Sequence, residues 1–274
     1  MGRAKEIIVK VIPQKVAVNF VRKNHYSGKV DPRSNLHFGC FLDGELHGVL
    51  QYGISVDKNK VIGLVEGTKW NEFIELNRMA FDEYLPKYSE SRCIAISIML
   101  IKKNAPHVKW ILSYADGAQC GDGTIYRASG FHLTQVGVNK SMYKMPNGDV
   151  ICKIILEPSF GSNGPNNAKH KYGKVGEFTT WPSSRFLNHI GAVPIIGFQL
   201  RYIYLIDKSC KITVPILPFS KIDELGAGMY KGEKITLAER QITGAGSVTA
   251  AQQATSLQEG FESTSALKNT DNAI

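Results

Sequence analysis

The stretch 110–133, WILSYADGAQCGDGTIYRASGFHL, concentrates side chains that could do chemistry. Ser113, Tyr114 and Asp116 follow the apolar run Trp110-Ile111-Leu112 and lead into a loop carrying Gly117, Gly121 and Gly123. Residues 124–129 then read as a short helix closed by Gly130. Strand, glycine loop and helix in that order deliver polar groups to the carboxyl edge of a sheet, where α/β folds bind ligands. An ordinary crossover with a polar rim would have the same pattern. His25 ends a helical segment in Asn24-His25-Tyr26-Ser27-Gly28, either as a cap or as a site residue. Glu75, Asn77 and Arg78 interrupt the apolar strand FIELNRMAF, which is unfavourable unless they are paired, used, or on a wet face. Ser89 or Ser91 can cap a helix over 92–103, whose first N–H groups favour an anion.

Charge narrows the choice of partner. The chain of 274 residues carries a net charge of +9, and its sequence pI is about 9.2. Residues 236–274 hold two basic and four acidic side chains, leaving 31 basic against 20 acidic, a net +11, in the first 235. So basic a body favours a polyanion, nucleic acid first. Cys40, Cys93, Cys120, Cys152 and Cys210 are scattered with no CxxC pair, which argues against a disulfide framework and a structural zinc site. The sequence has no apolar run of about 18 residues and no secretory h-region. A soluble intracellular protein with no membrane partner is therefore expected.

The elements that must position these groups follow from periodicity. Residues 7–12 read as a first strand and 14–26 as a helix with Val16, Phe20 and Val21 on one face, Pro13 suiting its first turn. Asp43-Gly44 signals a hairpin between strands 38–42 and 46–52. After the strand 74–81 come the helix 92–103, stopped by Pro106, and then the central stretch. Alternating residues 134–143, a turn at Pro146-Asn147-Gly148-Asp149 and a closing strand 150–156 complete a mixed α/β sheet. Residues 161–164 (GSNG) look like a linker. The 165–235 region interleaves Lys169, His170, Lys171, Tyr172 and Lys174, suiting nucleic-acid contacts or a packed extension. It adds a helix near 183–190 and apolar runs at 199–206 and 212–217. The Gly-, Ala-, Ser-, Thr- and Gln-rich tail is expected to be disordered.

This element order is similar to that of the GNAT acyltransferase fold, in which a splayed pair of central strands opens beside a helix whose N-terminus holds the donor's pyrophosphate. More specifically, HYSG (25–28), ELNRM (75–79), SESR (89–92), SYADGAQCGDGTIYRASGF (113–131) and QLRYIYLID with VPILPFSKI and GAGMYKGE (199–233) resemble the phage Mom DNA-modification family. Those proteins convert adenine in DNA to N6-carbamoylmethyladenine and protect phage DNA from restriction. The resemblance implies a GNAT-like catalytic domain over 1–158, a basic and aromatic extension over 159–235 packing on it with possible DNA contacts, and a low-complexity tail over 236–274. It also implies a site built from His25, Arg78, Ser91, Asp116 and Tyr126. Its partners would be double-stranded DNA with an extruded adenine and a small-molecule donor, in the host bacterial cytoplasm, with a homodimer left open.

Adenine N6 is a poor nucleophile, so such an enzyme must extrude the base and remove an N6 proton as the new bond forms. On the resemblance, Asp116 serves as base, or His25 in its place, and Tyr126 as proton donor or donor-site hydroxyl. Arg78 and Ser91 bind the donor, Arg78 through an anionic group of donor or DNA and Ser91 at the helix N-terminus. The donor would be acetyl-CoA or a related molecule. Two features depart from acetyl-CoA transfer. The turn 89–95, SESRCIA, lacks the glycines of the GNAT pyrophosphate turn and adds Glu90. Carbamoylmethyl transfer also joins N6 to a CH2 carbon, not an acyl carbon. Iron is an open alternative, with His25, Asp116 and Glu75 as ligand types. An N-acetyltransferase acting on a protein or small amine and a non-catalytic DNA-binding protein are the rival readings.

Overall fold

The computed structural model describes residues 2–118, 120–157, 168–172, 180–230, 233–236 and 238–239. The chain divides into one unit over Met1–Lys234 and another over Ile235–Ile274. In chain order, β1 (Ile8–Val11) leads through Pro13 into α1 (Gln14–Asn24). The hairpin β2 (Ser34–Leu42) and β3 (Glu45–Gly53), the short α2 (Lys58–Val61) and β4 (Phe73–Phe81) follow. Next come α3 (Ser89–Asn104), β5 (Trp110–Asp116), α4 (Thr124–Ala128) and β6 (His132–Asn139). The short strands β7 (Met142–Lys144) and β8 (Val150–Cys152), then α5 (Ser183–His189) and β9 (Val193–Pro194), precede β10 (Gly197–Leu205). The last elements of the first unit are α6 (Ser220–Glu224), β11 (Met229–Tyr230) and β12 (Glu233–Lys234).

Seven strands form one sheet in the order β1-β2-β3-β4-β5-β10-β6. All neighbours are antiparallel except β4 and β5, which run parallel. The expected mixed, mostly antiparallel α/β architecture is therefore present. The parallel pairing lasts only from Phe73↔Trp110 to Leu76↔Ser113. Beyond it the strands separate, and Asn77–Phe81 and Tyr114–Asp116 enclose an opening whose backbone groups pair only on their outer sides. Apolar side chains cover both faces. On one, Ile94, Ile98 and Ile101 of α3 meet Leu76, Ile111, Leu133 and Tyr202. On the other, Phe73 stacks on Trp110 at 4.4 Å between centroids, beside Leu112 and Ile203. Trp110 is fully buried, and its indole N–H donates to Thr68 Oγ1 at 3.0 Å.

Several local expectations hold and several change. Asp43 (φ 54°) and Gly44 (φ 85°) make the tight hairpin turn. Helix α1 buries Ala17 and Val21, while Val16 stays 41 % exposed, because Ala17 and Val21 lie one helical turn apart on the inward face. The expected closing strand 150–156 stops at Cys152 and turns into a 3-10 turn, Lys153–Leu156. It belongs to a separate sheet, β8-β7-β9, over a small core of Met145, Ile151, Leu156, Phe186 and Leu187. The run 212–217 forms no strand, only an isolated bridge from Ile212 to Val65. The boundary at 158 does not separate two cores. β10, from the expected extension, pairs with β5 over Trp110–Asp116 on one side and with β6 on the other. It is an interior strand because its apolar positions, Leu200, Tyr202, Ile203 and Leu205, face both layers. The linker at 161–164, Lys174 and nearly all of the tail lie outside the described residues.

Candidate active site

The opening between β4 and β5 is lined from four directions. Helix α1 ends at Asn24; His25 leaves it in extended conformation, and Tyr26 and Ser27 form a turn closed by the Gly28 N–H on His25 O at 2.8 Å. His25 Nδ1 accepts the Ser27 backbone N–H at 3.2 Å and lies 2.8 Å from Ser27 Oγ. An occupied Nδ1 places the neutral ring's proton on Nε2. Burial, with a smaller contribution from the Arg78 guanidinium, pushes the imidazole pKa down to about 4. His25 is therefore a neutral hydrogen-bond donor near pH 7, and a poor base.

Arg78 enters from β4. Its Nε donates to Lys29 O at 3.2 Å and its Nη1 to Asn77 O at 2.6 Å, so two backbone carbonyls fix the guanidinium. Its charge acts on His25, Tyr26, Asp31 and Tyr126. Asp116 ends β5, where Oδ1 accepts the Ala118 N–H at 2.9 Å and its carbonyl accepts the Cys120 N–H at 2.9 Å. Both bonds follow from the tight turn that the glycine-rich sequence permits. Tyr126 comes from α4, at 8 % exposure, packed on Tyr202 (5.1 Å between centroids) and Phe131 (5.4 Å). Burial raises its phenol to about 12, against a hydrogen bond from Ser113 that lowers it. A neutral phenol that can donate results. Gly123 (φ 82°) lets the loop close over Tyr202, since a Cβ there would sit 2.5 Å from the Tyr202 ring.

Tyr26 ties these groups together. Tyr26 is half exposed, yet partial desolvation of its hydroxyl raises the phenol most, and the charges of Asp116 and Cys120 add to that rise. The structure thus brings His25, Arg78, Asp116 and Tyr126 into one electrostatic neighbourhood. The fifth residue is Ser91. It lies in the first turn of α3 and donates to Tyr88 O at 3.2 Å. Neither Ser89 nor Ser91 caps the helix; Tyr88, in the left-handed region at φ 69°, occupies that position. Tyr26 was missed in the sequence because it was read as the frayed end of a helix. Its adjacency to His25 was the available signal. Among the described residues no group of three or more His, Cys, Asp and Glu side chains is arranged to hold a metal ion, so His25, Asp116 and Glu75 are not gathered as a ligand set.

A second polar group lies on the same strand. Glu75 is 8 % exposed, and burial pushes its carboxyl up, while hydrogen bonds from Ser55 and Asn77 and the charge of Arg33 oppose the rise. Asp31, also buried, holds Arg33 through Nε at 2.8 Å and through Nη2. In the sequence, Asp31-Pro32-Arg33 sets an acidic and a basic residue two apart around a proline, a spacing that can pair across a turn.

Two solved acetyltransferase structures give loose likenesses. The spermidine/spermine N-acetyltransferase SpeG from Vibrio cholerae in complex with manganese ions is 8 % identical, with a TM-score of 0.41 over 76 % of this chain and 97 % of that one. The ribosomal-protein-S18-alanine N-acetyltransferase from Escherichia coli is 10 % identical, with a TM-score of 0.38 over 78 % of this chain and 99 % of that one. The Methylcarbamoylase mom of Escherichia phage Mu is 32 % identical over 189 residues, covering 68 % of this chain and 77 % of that protein. The profile of the Mom protein family matches residues 6–221, a span that contains His25, Arg78, Ser91, Asp116 and Tyr126. By the extent of that match, the chain belongs to the Mom protein family.

Proposed function

We propose that this protein is a transferase that modifies DNA, joining a carbamoylmethyl group to N6 of an adenine extruded from the duplex. The observation that carries the reading is the match to the Mom family across 6–221, together with the phage Mu methylcarbamoylase at 32 % identity. The basic balance of the first 235 residues supports a DNA partner. Protection of phage DNA from restriction follows as the biological consequence.

The chemistry assigns roles that the local physics supports. The N6 lone pair is delocalised into the purine, so the proton must leave as the bond to the donor's CH2 carbon forms. Asp116 takes that proton, because the one acceptor nitrogen of the neutral His25 ring, Nδ1, is already occupied by the Ser27 N–H. His25 Nε2–H orients the acceptor or Asp116. Tyr126 donates its phenolic proton to the departing group of the donor. Arg78 pairs with an anionic group of donor or DNA.

The donor is a relative of acetyl-CoA with an anionic pyrophosphate bound at the N-terminus of α3; for the transfer to balance it presents a whole carbamoylmethyl group whose CH2 carbon bears the departing group, since the methyl carbon of acetyl-CoA itself carries none. Glu90 and Ser91 lie in the first turn of this 16-residue helix, where backbone N–H groups have no helical acceptor. Glu90 puts a carboxylate in the same turn, so Ser91 and the backbone carry the contact. No step is assigned to a metal. The test is to coexpress the full chain with plasmid DNA in bacteria, digest the DNA to nucleosides and measure masses. An adenine carrying the carbamoylmethyl mass is expected, with loss of that product in Asp116→Ala. Unmodified DNA from the wild-type protein would reject the reading.

A further inference from the structure

We propose that Arg33 and Glu75 form the subsite that reads the Watson–Crick edge of the extruded adenine. Arg33 Nη1 donates to ring N1, and Glu75 Oε2 accepts from the N6 amino group. The inference rests on the DNA-modification reading and names what selects the base.

Two buried polar atoms lack partners here. Glu75 Oε2 is one, on a side chain more than nine-tenths buried, and Arg33 Nη1 is the other. Native proteins satisfy nearly all such atoms, so a donor and an acceptor left open in one neighbourhood point to a ligand that offers the complement. The rest of each group is already used. Asp31 occupies Nε and Nη2 of Arg33, which leaves the buried Nη1 as the one open nitrogen of a fixed fork. Ser55 and Asn77 lie near enough to the Glu75 carboxyl to oppose the rise in its pKa, and Arg33 makes its ion pair with Asp31 instead of Glu75. The two open atoms therefore neither quench one another nor drift.

The backbone holds the pair in place. A Cβ on Gly53 would lie 2.2 Å from Arg33 O and 2.7 Å from Asn77 Oδ1, so the loop bearing Arg33 is pressed against β3 and β4 with nothing between. Ser34 Oγ donates to Asn77 Oδ1 at 3.1 Å, joining the same loop to the strand that carries Glu75. Glu75 pairs with Leu112 one step before the strands part after Leu76 and Ser113, and its charge reaches Tyr126 and Tyr114. An adenine seated this way has N6 on the Tyr126 side, where bond formation is needed, and N1 toward Arg33. Guanine presents the reverse, a carbonyl O6 toward the carboxyl and an N1–H toward the guanidinium, and is repelled at both points.

The test uses the full chain and duplex oligonucleotides with one target base opposite an abasic position, which lowers the cost of extrusion. Affinity is measured by fluorescence anisotropy for adenine, for 1-deazaadenine, which lacks the N1 acceptor, and for purine, which lacks the N6 amino group. Wild type should bind each analogue at least about tenfold more weakly than adenine. Arg33→Lys, which keeps the charge beside Asp31, should lose the discrimination against 1-deazaadenine and keep that against purine. Glu75→Met should do the opposite. Equal wild-type affinity for all three bases overturns the subsite without relying on any variant. So does Arg33→Lys discriminating as wild type does. Carbamoylmethyladenine in digested DNA combined with equal affinities removes the subsite alone. Unmodified DNA combined with equal affinities removes both readings, and unmodified DNA with adenine preference removes the catalytic reading while the base-reading pair stands.

Discussion

Acidification should weaken this fold through His25 before its carboxylates titrate. The folded-state pKa is about 4, against 6.5 for an unperturbed imidazole. Between those values the unfolded chain binds a proton that the folded one refuses, so stability is present above about pH 6.5 and falls as the pH drops toward 4. The gap corresponds to about 3 kcal/mol at most, reduced by the ring's partial exposure to on the order of 2 kcal/mol. Its origin is burial, with protonation also breaking the Ser27 N–H to Nδ1 bond and placing a second cation beside Arg78. His37 and His132 are also depressed by burial and add to the loss, so the informative quantity is a difference. Urea midpoints at pH 7.5 and 4.5 for wild type and His25→Gln supply it. The variant should lose about 2 kcal/mol less over that interval. Equal losses, or an NMR titration of the His25 ring centred near 6.5, would refute the electrostatic account of the site.

Two further substitutions separate packing from chemistry. Tyr126→Phe keeps the ring contacts to Tyr202 and Phe131 and removes only the buried hydroxyl near Ser113, so it should cost about 1 kcal/mol in urea unfolding. The yield of modified adenine should nonetheless fall by about 100-fold or more. Gly53→Ala drives a methyl into Arg33 O and Asn77 Oδ1, and about 1–3 kcal/mol of destabilisation is expected, read as a lowered thermal midpoint.

Much of the framework was legible because it is local. Alternation in 7–12 and 74–81, the Asp43-Gly44 turn and the stripe of α3 are short-range signals, and each matches an observed element. The polar interruption at Glu75, Asn77 and Arg78 was visible as unusual, and the strand turns out to bury the first two. Pairings between distant segments were not legible. No local pattern says that β10 must insert between β5 and β6, since its periodicity serves equally for a strand in a separate extension. Tyr26, Arg33 and Asp31 were missed for a related reason: their significance comes from what folds against them, not from their neighbours in the chain. Ser91 was legible as a residue of the first turn of α3, but the bond from its hydroxyl to Tyr88 O depends on the left-handed backbone at Tyr88, which no local pattern announces.

The insertion of β10 also sets an order of events during synthesis. Until Gly197–Leu205 leaves the ribosome, β5 and β6 each present a bare hydrogen-bonding edge, and their apolar side chains such as Leu112 and Leu133 lack the strand that lies between them. Translation that stops in the 159–196 interval would release a half-sheet with two sticky margins, a species suited to chaperone capture or aggregation and not to independent folding.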